Sequence, residues 1–496
     1  MNIATVYTRA PLSMRAPLVR VEVHLSSGLP ALTLVGLPEK AVKESKDRVR
    51  AAILNSGFEF PQKRITINLA PADLPKDGAR FDLAIALGIL IASAQLPASI
   101  AEQSEWQGEL ALSGDLRPVS AILPCAIAAQ ADNHRLIVCQ DNHLEAQLLH
   151  NLEVQSARSL AHIAAIAYQQ DQWLPPPSAP PITAPQYPDF SDVIGQHQVK
   201  RALLIAAAGG HHILMSGPPG TGKSMLAQRF PSILPDMSEH QAIETAALLS
   251  LSRQGFDLNQ WKKRPIRSPH HSSSAPALVG GGSIPKPGEI SLSHHGVLFL
   301  DELPEFDRKV LEMLREPLEN GHITISRAAL KTHFPAQFQL IAAMNPCPCG
   351  YYGDPERACT DTPDQIARYR QKISGPLLDR IDLQVHVPRL SPAEIRQNNP
   401  STTSAELKQQ VNHAYQIQLQ RQGCVNAHLS ASQLDTHLNA KENVYPLLDR
   451  AAAKLHFSMR SYHRLLKVAR TIADLDQQLQ IDPSHISEAL QYRGFS

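Results

Sequence analysis

The stretch that most constrains this chain is Gly217-Pro218-Pro219-Gly220-Thr221-Gly222-Lys223-Ser224, which reads G-x-x-x-x-G-K-S. A short apolar run, His212 to Ser216, precedes it, and Met225 to Arg229 follows in a helical pattern. Each residue type in such a loop has a physical task. Glycines let the backbone curl until successive N–H groups point inward and cradle phosphate oxygens. Lys223 adds a point charge for the β- and γ-phosphates, and the Ser224 hydroxyl is suited to magnesium. A buried strand before the loop and a helix after it bring a positive dipole end to the same place. The loop is therefore expected to hold ATP with Mg2+, inside an α/β sheet.

Two later runs complete a hydrolytic set. Gly296-Val297-Leu298-Phe299-Leu300-Asp301-Glu302 offers four apolar residues for a buried parallel strand, with acids emerging at its C-terminal end. Asp301 is expected to hold magnesium and Glu302 to orient and polarise the attacking water. Gln339 to Asn345 is a second buried strand ending in a polar residue. Its place after the Asp301 strand resembles the sensor position of AAA+ motors, where an Asn helps position the lytic water. Asp192-Val193-Ile194-Gly195-Gln196 resembles the segment that packs beside adenine in the same superfamily. Gly375 to Leu383 resembles the segment that carries the arginine finger in replicative helicases and magnesium chelatases. Arg380 then reaches a neighbour's nucleotide, which requires a ring, or forms a salt bridge to a local acid such as Asp379 or Asp382. Arg460, ahead of a helix with Tyr462, Leu465, Leu466, Ala469, Ile472 and Ala473 at helical spacing, stands where AAA+ lids place a second sensor arginine; Arg464 is the neighbouring choice.

A chain of 496 residues is long enough for about three domains. The division reads as an α+β block over 1–168, a proline-rich linker over 169–188, an α/β ATPase core over 189–390 and an all-α lid over 391–496. In the first block, Val19 to Leu25 alternates as a half-buried strand does, Ala31 to Gly36 and Arg64 to Leu69 follow suit, and Val42, Val49, Ala52 and Ile53 share a helix face. Charge is nearly balanced, 47 Lys+Arg against 46 Asp+Glu, so any nucleic-acid binding must come from local patches. No apolar run is long enough to span a bilayer, and the cysteines do not form a secreted disulfide pattern. A soluble cytoplasmic protein is expected.

Asn68 to Gly78, followed by Phe81-Asp82-Leu83, resembles the C-terminal proteolytic domain of Lon-type proteases. The nucleophilic serine of that family has no counterpart in Ala79-Arg80-Phe81-Asp82, nor its lysine in Leu116 to Leu123. A Ser/Lys dyad needs both partners, so the expectation is a Lon-like scaffold without peptidase activity. Lys76 and Arg80 read as solvated surface charges in preference to phosphate contacts.

What distinguishes the core is its inserts. A glycine- and histidine-rich passage from Arg267 to Ile290 forms no independent core and is expected to project as a loop. Ile323 to Arg327 and Lys331 to Phe334 read as a hairpin. Both inserts resemble those of helicase-and-chelatase AAA+ proteins, where they line a pore. Arg327, Lys331 and Lys286 are the candidate DNA contacts, against the alternative of solvated charges. The His270/His271 and His294/His295 pairs read as turn-lining residues rather than metal ligands, since neighbours on an extended chain point apart. Cys347, Cys349 and Cys359, with Asp361, either hold Zn2+ or are reduced loop thiols.

From Leu34-Val35-Gly36-Leu37-Pro38, through Arg267 to Gly282, to Ile373 to Arg380, the layout resembles the ComM/YifB family. The resemblance implies a homo-hexameric, ATP-driven helicase that extends single-stranded or branched recombination intermediates by branch migration during natural transformation, with recombination proteins as partners. A magnesium-chelatase motor subunit is the alternative. That work requires a partner with an integrin-like metal domain, and no D-x-S-x-S motif occurs here.

Overall fold

The computed structural model describes residues 3–36, 40–178, 186–252, 254–282, 285–327, 330–391, 394, 396, 402–455 and 457–493. Pro38, expected in the first turn of a helix, lies outside them.

A seven-stranded mixed sheet runs in the order Ala31–Val35, Arg64–Ala70, Leu18–Ser26, Ile3–Arg9, Ser104–Trp106, Arg135–Cys139, Val154–Ala157. Period-two alternation decides its faces: Val19, Val21, Val23 and Leu25 are buried, while Arg20 and His24 between them are exposed. Helix Asp82–Ala92 is buried along its whole length, and helix Lys40–Asn55 contributes Val42, Val49, Ala52 and Ile53 to the same core. Each buried Leu or Ile there is worth about 1.5–3 kcal/mol. Gly88 lets the inner helix settle on the sheet, since a Cβ there would come within 2.6 Å of Val23 Cγ2. Lys76 and Arg80 depart from the expectation of solvated charge, at 0% and 7% exposure. The Lys76 ammonium donates to Pro71 O, and Arg80 Nη2 donates to Ser120 O at 2.7 Å. Carbonyls replaced water as partners, which charge counting in a sequence does not register.

A second, all-parallel sheet runs Ile266–Arg267, Val297–Leu300, Gln339–Met344, Ile213–Ser216, Leu383–His386. Its strands Ile213–Ser216 and Val297–Leu300 are apolar runs read from the sequence, buried throughout. The Arg267–Ile290 passage is less of a projection than expected. It folds into helix Ala275–Val279, a two-stranded ladder of Gly280–Gly281 with Lys286–Pro287, and helix Glu289–Leu292. Leu278 and Ile290 anchor it in the core. Strands His322–Arg327 and Leu330–Pro335 form the anticipated antiparallel hairpin, whose Ile323, Ile325 and Phe334 are buried.

Helices Ser404–Gln422 and Met459–Leu475 pack on helix His197–Gly209 through Val411, Leu465, Ala469 and Ile472, while Pro483–Gln491 packs on Met459–Leu475 and Val444–Leu455 on Pro483–Gln491. Arg201 ties the two ends of this assembly, bonding Glu488 at 2.8 Å and Asp476 at 3.1 Å. The first sheet is joined to the second by shared core: Ile122, Ala126 and Leu149 pack with Ala242, Ala246 and Trp261. Ser250 Oγ donates to Glu145 Oε1 at 2.5 Å, and Ser13 Oγ donates to His333 O at 2.8 Å.

Asp382 is buried where helix Met459–Leu475 meets the sheet. Its carboxylate accepts from Arg464 Nη1 at 2.8 Å and from His212 N at 3.0 Å. Against the upward push of burial, Arg464 and His211 hold its pKa well below the ordinary value. A carboxylate with a depressed folded pKa stabilises above its unfolded value, near 4, and that contribution fades as pH falls below it. Arg464→Ala leaves the charge buried without its cation. The expected cost is about 3 kcal/mol, with acid unfolding displaced to higher pH; urea midpoints measured from pH 4 to 7 check it.

Candidate active site

Three strand ends converge on one cleft of about 360 Å³, lined by Pro219 to Met225, Asp301, Glu302, Met344 and Asn345. The approach is close: a Cβ on Gly217 would stand 2.2 Å from Val387 O. Gly220 and Gly222 have φ of +78° and +88°, the left-handed region that the curled loop demands. Lys223 Nζ donates to Gly217 O at 2.7 Å, Pro218 O at 2.9 Å and Asn345 Oδ1 at 3.3 Å. Among the described residues no carboxylate bonds to this ammonium, and burial lowers its pKa while Asp301 and Glu302 raise it. A desolvated cation with only neutral partners, at a helix N-terminus, is arranged for an anionic ligand.

Ser224 Oγ donates to Asp301 Oδ2 at 2.7 Å, pairing the hydroxyl and carboxylate that fit Mg2+. Such an ion would supply charge neutralisation at the β- and γ-phosphates. Glu302 follows in a left-handed turn, φ 52°, with its N–H on Asp301 Oδ1 at 2.9 Å. The Glu302 side chain lines the cleft and also meets a histidine. Its Oε2 lies 3.1 Å from His271 Nδ1, in the glycine- and histidine-rich passage. His271 read as turn-lining in the sequence; pairing with Glu302 depends on the strand Ile266–Arg267 running beside Val297–Leu300, a neighbourhood that no local pattern reveals.

Arg380 and Arg460 do not line this cleft. Arg380 is 4% exposed; its Nη1 donates to Pro376 O at 2.7 Å and its Nη2 pairs with Glu319. Arg460 Nη2 takes the other oxygen of the same carboxylate, at 2.9 Å. The local acids considered for Arg380 are engaged elsewhere: Asp382 with Arg464, and Asp379 as acceptor from Ser461 Oγ at 3.5 Å. Glu319 carried no motif and was missed.

The cysteine loop abuts the phosphate loop, for a Cβ on Gly350 would meet Pro219 Cδ at 2.8 Å. Cys347, Cys349 and Cys359 place their sulfurs 3.3 to 3.6 Å apart. Asp361 Oδ2 accepts from Cys349 N at 2.8 Å and lies 3.8 Å from Cys359 Sγ. Tetrahedral zinc with bonds of about 2.3 Å spaces its sulfurs by roughly 3.8 Å, so the donor set fits that ion after a slight expansion. Against the upward push of burial, the N–H groups of Tyr351 and Thr360 draw the Cys349 thiol below its ordinary value.

His294 and His295 gather on Glu244, with His295 Nε2 2.8 Å from Glu244 Oε2 and His294 Nε2 at 3.7 Å. His294 Nδ1 accepts from Gln337 N at 3.0 Å, so a neutral ring carries its proton on Nε2. That tautomer offers no lone pair from His294 Nε2 towards Glu244, so the contact is a hydrogen-bonding and ion-pairing one. Lys331 is exposed on the hairpin and Lys286 on the insert ladder. The Arg327 backbone pairs with Leu330, and its side chain lies outside the described residues.

A parallel sheet with these strand ends and this loop defines a magnesium-chelatase-like AAA+ protein. The description "Magnesium chelatase, subunit ChlI" matches residues 189–395, "Subunit ChlI of Mg-chelatase" matches 21–142, and "Magnesium chelatase, subunit ChlI C-terminal" matches 401–493. The chain is 51% identical to Competence protein ComM of Haemophilus influenzae, across 100% of this chain and 98% of that protein. It is 48% identical to YifB of Escherichia coli, across 100% and 97%. A magnesium-chelatase 67 kDa subunit of Chlorobaculum parvum is 26% identical over 32% of this chain and 23% of that subunit. The chain belongs to the ComM/YifB family. No helix among the described residues is long and apolar enough to cross a membrane.

Proposed function

We propose that this chain is an ATP-driven, ring-forming DNA translocase that unwinds or branch-migrates recombination intermediates. The observation that carries the reading is the convergence of Lys223, Ser224, Asp301, Glu302 and Asn345 on one cleft, with a cation-bearing hairpin on the same core. Gly217 to Ser224 cradle the triphosphate, and Lys223 meets its β- and γ-oxygens. Ser224 and Asp301 hold Mg2+, Glu302 polarises the lytic water, and Asn345 orients it. Arg380 and Arg460 serve the nucleotide of the adjoining subunit in a hexamer, since neither lines its own chain's cleft. The first sheet is a Lon-like scaffold without the protease, the division at 168, 188 and 390 separates scaffold, linker, motor and lid, and the protein works in the cytoplasm.

With net charge near zero, affinity for DNA arises from a pore that repeats Arg327, Lys331 and Lys286 in each subunit, so binding weakens steeply with salt and ignores sequence. The test is ATP turnover and strand separation on forked DNA by the parent and by Arg327→Ala/Lys331→Ala. Loss of stimulation with basal turnover and hexamer content intact supports the hairpin as the DNA grip. Normal unwinding by the double variant removes it. No stimulation of the parent by any DNA favours the second reading, a magnesium-chelatase-type motor subunit, for which the matched descriptions speak.

Zinc at Cys347, Cys349, Cys359 and Asp361 would clamp the loop that begins two residues beyond Asn345. Elemental analysis of protein never exposed to chelator is expected to give about one zinc per chain, lost in Cys347→Ser/Cys359→Ser. A value near zero in the parent assigns the cluster to reduced thiols.

A further inference from the structure

Glu319 closes helix Arg315–Asn320; Gly321 follows with φ +68°, and the hairpin strand starts at His322. The same carboxylate holds two guanidiniums, one oxygen each: Arg380 on Oε2 and Arg460 on Oε1. The two arginines come from distant segments, one after the short helix Gly375–Leu378 and the other from helix Met459–Leu475. Arg380 has little alternative partnership. Its Nε is buried without an acceptor, and its remaining bond is to the carbonyl of Pro376. Glu319 is half-exposed, and its pKa is lowered first by the bond from Arg380. Two guanidiniums converging on a pair of anionic oxygens is the arrangement that a terminal phosphate would also satisfy.

We propose that Glu319 is a positioning residue that occupies Arg380 and Arg460 in place of a phosphate and releases them when the hairpin moves. The inference rests on the ring-ATPase reading and adds to it a route between the DNA grip and the hydrolytic arginines. Gly321 alone separates the carrier helix from the hairpin strand, so a displacement of the hairpin pulls on Glu319 through one turn. Both guanidiniums share this one carboxylate, so a movement of Glu319 loosens the two pairs together. Hairpin position is thereby converted into arginine availability.

The test compares the full chain with Glu319→Gln, which keeps shape and hydrogen bonding but removes the charge that competes with phosphate. ATP turnover is measured with and without forked DNA, alongside hexamer content and thermal melting. The expected result is DNA-free turnover raised about three-fold or more, with the ratio of DNA-stimulated to basal turnover falling towards one and KM for ATP little changed. In an Arg380→Ala/Arg460→Ala background, which lacks both partners of the carboxylate, the same substitution is expected to change nothing. A parallel fall of basal and stimulated rates in a properly assembled Glu319→Gln ring overturns the proposal, because Glu319 then only supports the arginines. An unchanged basal rate overturns it too, as does an equal rise in the Arg380→Ala/Arg460→Ala background. The basal arm needs no DNA, so absence of DNA stimulation in the parent refutes the translocase reading while leaving the role of Glu319 decided by its own result.

Discussion

Glu302→Gln is expected to hold ATP as tightly as the parent and to hydrolyse it about 10²–10⁴-fold more slowly. Affinity resides in the Gly217–Ser224 cradle and in Lys223, whose partners are carbonyls and Asn345 rather than Glu302. In the proposed role the carboxylate acts in the step in which water must lose a proton, so its removal is expected to lower kcat without touching the phosphate contacts. A glutamine in the left-handed turn after Asp301 keeps the backbone bond to Asp301 Oδ1 and can still bond His271. Lys223→Ala is the counterpart and should fail at binding. Equilibrium binding of a fluorescent ATP analogue, with phosphate release measured on the same preparations, separates the two. Parent-like turnover in Glu302→Gln would remove this residue from the chemistry.

Arg380→Ala is the second large effect, a fall of about 10³–10⁵-fold in kcat with nucleotide affinity largely retained. An arginine finger acts in the transition state of another subunit's site, so its loss does not reach the cradle of its own chain. Mixing Arg380→Ala with Lys223→Ala protein should restore part of the activity. Some junctions in the mixed ring then join an intact loop to an intact arginine. Absence of rescue, in rings shown by mass spectrometry to contain both variants, argues that Arg380 serves its own fold through Glu319 and Pro376.

What could be read in advance was governed by distance along the chain. The phosphate loop, the Asp301-Glu302 strand end and the Asn345 strand end each carry their chemistry in adjacent residues, and the parallel sheet brings all three to one cleft. Alternation located the Leu18–Ser26 and Arg64–Ala70 strands for the same reason. Short, wholly buried strands such as Ser104–Trp106 have no alternation to display and went unread. Glu319 and His271 were illegible because their meaning lies in partners about 60 and 30 positions away. Lys76 and Arg80 were misread because a cation satisfied by carbonyls leaves no complementary acid in the sequence.

The core shared by Ile122, Ala126, Leu149, Ala242, Ala246 and Trp261 has a mechanical consequence. Close-packed apolar surfaces shift between discrete arrangements and do not stretch. Helix Glu239–Ser250, which lies between the phosphate loop and the Ile266–Arg267 strand, cannot tilt without carrying the seven-stranded sheet along. Scaffold and motor are thus joined by packed core as well as by the proline-rich segment between them. A displacement of helix Glu239–Ser250 is therefore passed to the sheet through apolar contact between Ala242, Ala246 and the Ile122–Ala131 helix.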